Sequence, residues 1–274
     1  MAHDDGGLFP LGMGSAQAPA APPVATPVVQ AAPPIDRPVH ACPSGALLTL
    51  TLAELERRAG RLDESAKHAR TAQEIFAHAL SQDDVRQARP FTVLGVTQTW
   101  RGQYADALAN YEKALAIQIR AVGEDHIVTV TSHGNIAEML FELNRYDDVL
   151  VHVTRFEDGL DKLHKTHPLY RSFGHRLRAQ WLLHEKKYDE AISLLEKALN
   201  LVKDLPGSAL DRAAIEWILA QALSGKKPTA ARARDLAQSA RNTFAANGIA
   251  GEDRIRAIDA WLGSSKNTPP KPAK

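Results

Sequence analysis

Cysteine is nearly missing. The 274-residue chain holds one, Cys42, so it can build neither an internal disulfide nor a cysteine-based zinc site. A surplus of charge is missing as well. Lys and Arg number 33 against 32 Asp and Glu, which leaves no basic excess to neutralise phosphates and disfavours nucleic acid as the main partner. No apolar run approaches the ~20 residues that cross a bilayer. The opening stretch MAHDDGGLFPLGMG has two aspartates where a secretory signal carries positive charge. These absences lead to an expectation of a cytoplasmic protein with no membrane partner. Alternating strand patterns and hairpin turns are absent too, and the chemistry of a β-fold goes with them.

Proline, by contrast, is concentrated. Nine of the 16 prolines precede Gly45, in a run of small residues without period, and residues 1–45 are expected to be a disordered Ala/Pro-rich segment. The Lys- and Pro-containing tail, 263–274, is expected to be disordered in the same way.

Between these ends the chain repeats itself. Leu62, Tyr104, Tyr146 and Tyr188 recur at steps of 42 residues. Ser65, Ala107, Val149 and Ala191 follow at the same step, as do Ala72, Ala114, Phe156 and Ala198, and a degraded fifth copy runs through Ala230, Ala233 and Ala240. Each copy has two stretches of apolar residues at three- and four-residue spacing, which predicts two helices, A and B, joined by a tight turn. In the second copy Phe91, Leu94 and Val96 belong to helix A, and Ala107, Leu108, Tyr111, Ala114, Leu115 and Ile117 to helix B. Gly95, Ala107 and Ala114 are small enough for helix axes to cross closely. Gly60, Gly102 and Asn144 suit the positive φ that follows a helix end. Pro168 and Pro228 suit a first helical turn. The bulkier Val149 and Phe156 predict looser packing or a bend in the third copy. Near the end, Ile255, Ile258, Trp261 and Leu262 share one face of a helix able to cover the last repeat.

The segment LGVTQTWRGQYADALANYEKAL resembles the tetratricopeptide repeat, with Leu94, Gly95, Gly102, Tyr104, Ala107, Tyr111 and Ala114 on that motif's spaced positions. Its 42-residue step and GEDHIVTV from Gly123 are similar to the longer kinesin-light-chain variety. Gln98 stands where the family has an aromatic. The resemblance implies an all-α, right-handed superhelical solenoid of about five helix pairs plus a C-terminal capping helix over residues 46–262. It also implies a non-catalytic protein-interaction scaffold that needs no cofactor. The ending, ARARDLAQSARNTF followed by GEDRIRAIDAWLG, resembles the repeat regions of myxobacterial-type serine/threonine protein kinases. That likeness implies an alternative, a regulatory or substrate-docking subunit of a kinase system. The chain itself carries no Gly-rich phosphate loop, His-Arg-Asp or Asp-Phe-Gly.

Chemistry finds little purchase elsewhere. His164 and His167 are spaced to share a helix face, but Lys162 and Lys165 beside them repel a cation, so no metal site is expected. His184-Glu185 leads into lysine rather than a metalloprotease pattern. Cys42 has no neighbour that would activate its thiol. The acid pairs Asp147–Asp148 and Asp189–Glu190 sit where a helix dipole favours negative charge. By the resemblance to peptide-binding members of the tetratricopeptide family, the solvent-facing polar stripes of the A helices are the candidate site for a protein or peptide partner, in a concave groove. They are Arg89 and Thr92, with Val96 and Thr99, in the second copy, Thr131, Asn135, Glu138 and Glu142 in the third, and Arg176, Gln180 and His184 in the fourth. Asn135 matches the helix A asparagine of many peptide-binding copies, and mixed charge disfavours a strongly acidic or basic ligand.

Overall fold

A computed structural model describes residues 42–163, 167–224, 229–247 and 252–263. Eleven α-helices and no strand occur among them. The two ends expected to be disordered, apart from 42–45 and Gly263, lie outside the described residues, as do His164, Lys165 and Pro228.

The helices pair as the 42-residue step predicts. Pairs form from α1 (Pro43–Arg58) and α2 (Leu62–Ala79), α3 (Ala88–Trp100) and α4 (Tyr104–Val122), and α5 (Ile127–Glu142) and α6 (Tyr146–Lys162). Two more follow, α7 (Pro168–His184) with α8 (Tyr188–Val202) and α9 (Ala209–Leu223) with α10 (Ala230–Ala246), before α11 (Glu252–Gly263) closes the array. The helical region is slightly wider than 46–262, because Cys42 caps α1 by accepting from the Gly45 N–H at 3.4 Å, and α11 runs through Gly263.

Every described turn within a pair has one chemistry. Gly60, Gly102, Asn144 and Lys186 all have φ between 56° and 78°. In each case this residue's N–H donates to the carbonyl three residues back and the next N–H donates to the one five back, as with Gly102 to Thr99 and Gln103 to Gln98. These reciprocal bonds satisfy carbonyls that a helix end would leave open. Acidic residues then follow in the first turn of α2, α4, α6 and α8, where the dipole favours them.

The core is a row of small residues interleaved with a few large ones. Ala107 and Ala114 are fully buried, and a Cβ on Gly95 would lie 2.7 Å from the Tyr111 ring, so α3 and α4 cross where their smallest residues meet. The looser packing expected in the third copy does not occur. Val149 and Phe156 are fully buried, and Phe156 occupies space left by Gly134 of α5 and Gly174 of α7, whose added Cβ atoms would come within 3.2 and 3.3 Å of its ring.

At one end α11 buries Ile258 and Trp261, the latter edge-on to Trp217 at 5.6 Å, with Asp259 paired to Arg241. At the other end Leu48, Leu52 and Leu55 of α1 are exposed. A helices pack on A helices of the next pair, α1 on α3, α5 on α7 and α7 on α9. Their faces therefore line the tighter, inner side of the array.

Candidate functional site

The inner face is less open than a stripe of polar residues suggests. Thr92, Thr131, Asn135, Glu138 and Arg176, expected to face solvent, are all buried. The threonine hydroxyls donate to carbonyls of their own helices, Thr92 to Ala88 at 3.2 Å and Thr131 to Val128 at 3.0 Å. Such short side chains reach back to the preceding turn more easily than outward. Arg176 donates to the Glu138 carboxylate at 2.8 Å, linking α7 to α5, and both side chains are 6–7% exposed. Arg89 is half-buried, and its Nε has no hydrogen-bond partner. The candidates that reach the surface are Glu142, Gln180 and His184, near the C-terminal ends of α5 and α7. His184 stacks on Tyr146 at 3.9 Å.

The structure brings Glu142, Arg176 and Gln180 together with residues that the stripes did not include. A cavity of about 240 Å³ is walled by these three, by Tyr104, by Trp217 and Gln221 of α9, and by Arg254 of α11. Arg254 lies over the Phe244 ring at 5.6 Å and approaches Glu138 and Glu142, each at 4.0 Å. One turn below the wall residue Ala214 stands Asp211, a carboxyl only 5% exposed whose Oδ2 has no hydrogen-bond partner. Burial drives its pKa up to about 8, against the pull of the Arg176 guanidinium and with a push from Glu138. Asp211 escaped the sequence because an acid in a first helical turn is ordinary. Arg254 escaped because it reads as the polar back of a cap.

A second cavity, about 320 Å³, opens beside Glu124 and Asp125, and His133 lies in its wall. Four of its charged residues pair within the wall, Arg155 with Glu124 at 2.7 Å and Lys162 with Asp125 at 2.6 Å, and Asp161 pairs with Arg171 at 2.8 Å. His133 and His152 approach through their Nδ1 atoms at 2.9 Å, and burial depresses both, His133 to about 4. No cluster of three or more His, Cys, Asp or Glu able to hold a metal occurs among the described residues. His167, one of the pair weighed as ligands, caps α7 instead, its Nδ1 accepting from the Leu169 N–H at 3.3 Å. No helix among the described residues is long and apolar enough to cross a membrane.

Comparison with known proteins places this geometry. Residues 87–155 match the tetratricopeptide repeat family, a span that takes in the second pair and much of the third. In fold the array is a solenoid of tetratricopeptide-like helix pairs. Among solved structures, a Podosopora anserina putative kinesin light chain with nearly identical TPR-like repeats superposes with a TM-score of 0.54 at 20% identity, over 75% of this chain and 98% of that one. BtubC (BKLC) from P. vanneervenii gives 0.56 at 16% identity, over 85% and 86%. Aspartyl phosphate phosphatase F from Bacillus subtilis gives 0.59 at 14%, over 85% of this chain and 63% of that one. At these identities the likeness is one of fold, and the diverse names show how little the solenoid itself dictates an activity. A search of curated protein sequences found no match.

Proposed function

We propose that the chain is a non-catalytic interaction scaffold that holds a peptide segment of a partner protein along the inner face of its A helices. The observation that carries this reading is convergence. One cavity takes walls from α4, α5, α7, α9 and α11, and it combines aromatic surface with amide and charged groups. That mixture suits a bound backbone and its side chains better than it suits catalysis. At about 240 Å³ the cavity is smaller than the ~300–1,000 Å³ of small-molecule clefts, and it lies along an extended surface.

The test uses half-buried wall residues, because alanine at Arg176 would strand the buried Glu138 carboxylate and confound binding with folding. Peptides are selected from a displayed random library against the full chain. Their affinities are then compared for the wild type, for Gln180→Ala with Gln221→Ala, and for Glu112→Ala with Lys113→Ala on exposed positions of α4. The wall variant should bind at least tenfold more weakly with an unchanged melting temperature, and the α4 variant should bind normally. Loss in the α4 variant alone would move the interaction to the outer face and end this reading.

A further inference from the structure

The charges in and behind the cavity wall are unbalanced, with Glu142, Arg176 and Arg254 in the wall and Glu138 and Asp211 outside it. Glu138, Glu142 and Asp211 bring three carboxyl groups, and Arg176 and Arg254 bring two guanidiniums. The Arg176–Glu138 bond at 2.8 Å is complete, and Arg254 faces both glutamates. Asp211 is therefore left over. It shares one face of α9 with Ala214 and Ile218, at i, i+3 and i+7, and both of these line the cavity. The two arginines of the cavity wall are also the cations acting on its carboxyl, with Glu138 as the third charge. Arg212 and Glu216, elsewhere on α9, face one another at 3.7 Å. A buried carboxyl oxygen without a donor is a costly thing to maintain, and this one lies behind the wall, one helical turn from Ala214, which lines the cavity of about 240 Å³.

We infer that this cavity receives a lysine or arginine side chain of the partner segment, its cationic head on the Asp211 carboxylate and its methylene stem along Trp217 and Ile218. This rests on the scaffold reading and adds the chemistry that the groove selects. An acidic side chain is disfavoured, since both guanidiniums already face carboxylates. A purely apolar one would leave the Asp211 Oδ2 without a partner. In the free protein a proton fills the place of the missing cation, and binding exchanges the two. The carboxylic acid of Asp211 loses its proton to solvent, and the incoming ammonium or guanidinium pairs with the carboxylate.

Three readouts on the displayed-library binders test this. Selected sequences should be enriched in lysine or arginine, and replacing that residue by norleucine or glutamate in a synthetic binder should weaken it at least tenfold. Affinity should rise with pH between 6 and 8, by up to tenfold per unit, and level off above 8. Asp211→Asn should remove both the preference for a cation and the pH dependence. If that variant does not fold, the ¹³C titration of the Asp211 carboxyl in the wild type decides, and saturating peptide should lower its midpoint by at least one pH unit. Binders that compete at the groove but show no basic preference, or an acidic one, would overturn the cation pocket and leave the scaffold standing. No enrichment of any sequence would overturn both.

Discussion

The second and third repeats solve one packing problem at two heights. In the second, the glycine is Gly95 on helix A and the aromatic facing it is Tyr111 on helix B. In the third, the 42-residue step puts Ala137 and Val153 at those places, while Gly134 and Phe156 stand three residues earlier and three residues later. One turn back on A and one turn forward on B are the same displacement in space, because the two helices run antiparallel. The glycine–aromatic contact has slid along the crossing as a unit, and the arriving ring extends to the next pair through Gly174. What the repeat conserves is the volume shared across the crossing, and residue type at any one position is secondary.

The largest expected effect comes from emptying the third repeat. Phe156→Ala should cost ~3–5 kcal/mol in chemical denaturation, and a loss below ~1 kcal/mol would show that the ring does not fill the site. Adding bulk should cost less. Gly134→Ala brings a Cβ to 2.7 Å from the Phe173 ring, as Ala107→Leu brings methylenes into the second crossing, and each should lose ~1–3 kcal/mol. Leucine at the exposed Ala105 should stay within ~0.5 kcal/mol of wild type. Equal melting temperatures for the Ala105 and Ala107 variants would undo the crossing assignment.

Titration sharpens a contrast between the third and fifth pairs. His133, held near 4, binds fewer protons folded than unfolded, so stability should climb as pH rises from about 4 to 6.5. Asp211, near 8, binds more protons folded, so its contribution should fall across the span from its ordinary value up to about 8, by at most ~1.4 kcal/mol per pH unit. Burial raises Glu216 in the same sense. From these two groups, stability in urea melts should be level between about pH 4 and 6.5, where the slopes oppose, and fall from there to about 8. Asp211→Asn should uncover the rise below 6.5 and remove the fall above it, whereas His133→Gln should extend the fall down toward about pH 4; the opposite pattern would reverse the assignments.

The smallest effect lies in the turns. Lys186 has φ of 61°, a conformation that costs a residue with a Cβ roughly 1–2 kcal/mol. Lys186→Gly should therefore stabilise by about 1 kcal/mol, and Asn144→Gly by less, since asparagine tolerates this region. A destabilised Lys186→Gly variant would mean that the lysine side chain contributes something the backbone geometry hides.

These contrasts also explain what was legible in advance. The pairing, the turns and the small crossing residues could be read because each depends on a local spacing that recurs. The direction of a polar side chain could not. Glu138 and Arg176 look like members of two solvent stripes, yet they lie 38 positions apart and bury each other. Thr92 and Thr131 are polar in name, while their hydroxyls serve their own helices. The cavity depends on the Arg254 side chain of α11 reaching back toward Glu138 and Glu142 of α5, a distance in sequence that no periodicity encodes.

That return has a mechanical meaning. A stack in which each pair touches only its neighbours stretches and twists like a spring, its ends compliant and its middle shared by every coil. Arg254 bridges from the last coil to Glu138 and Glu142 of the third at 4.0 Å, which makes it a clasp across the spring. Contacts of that length, with the arginine partly exposed, are weak and yield to salt. The clasp therefore sets a low threshold for the inner surface to widen: tightened in dilute electrolyte, slackened in concentrated electrolyte, with the helix pairs themselves unchanged.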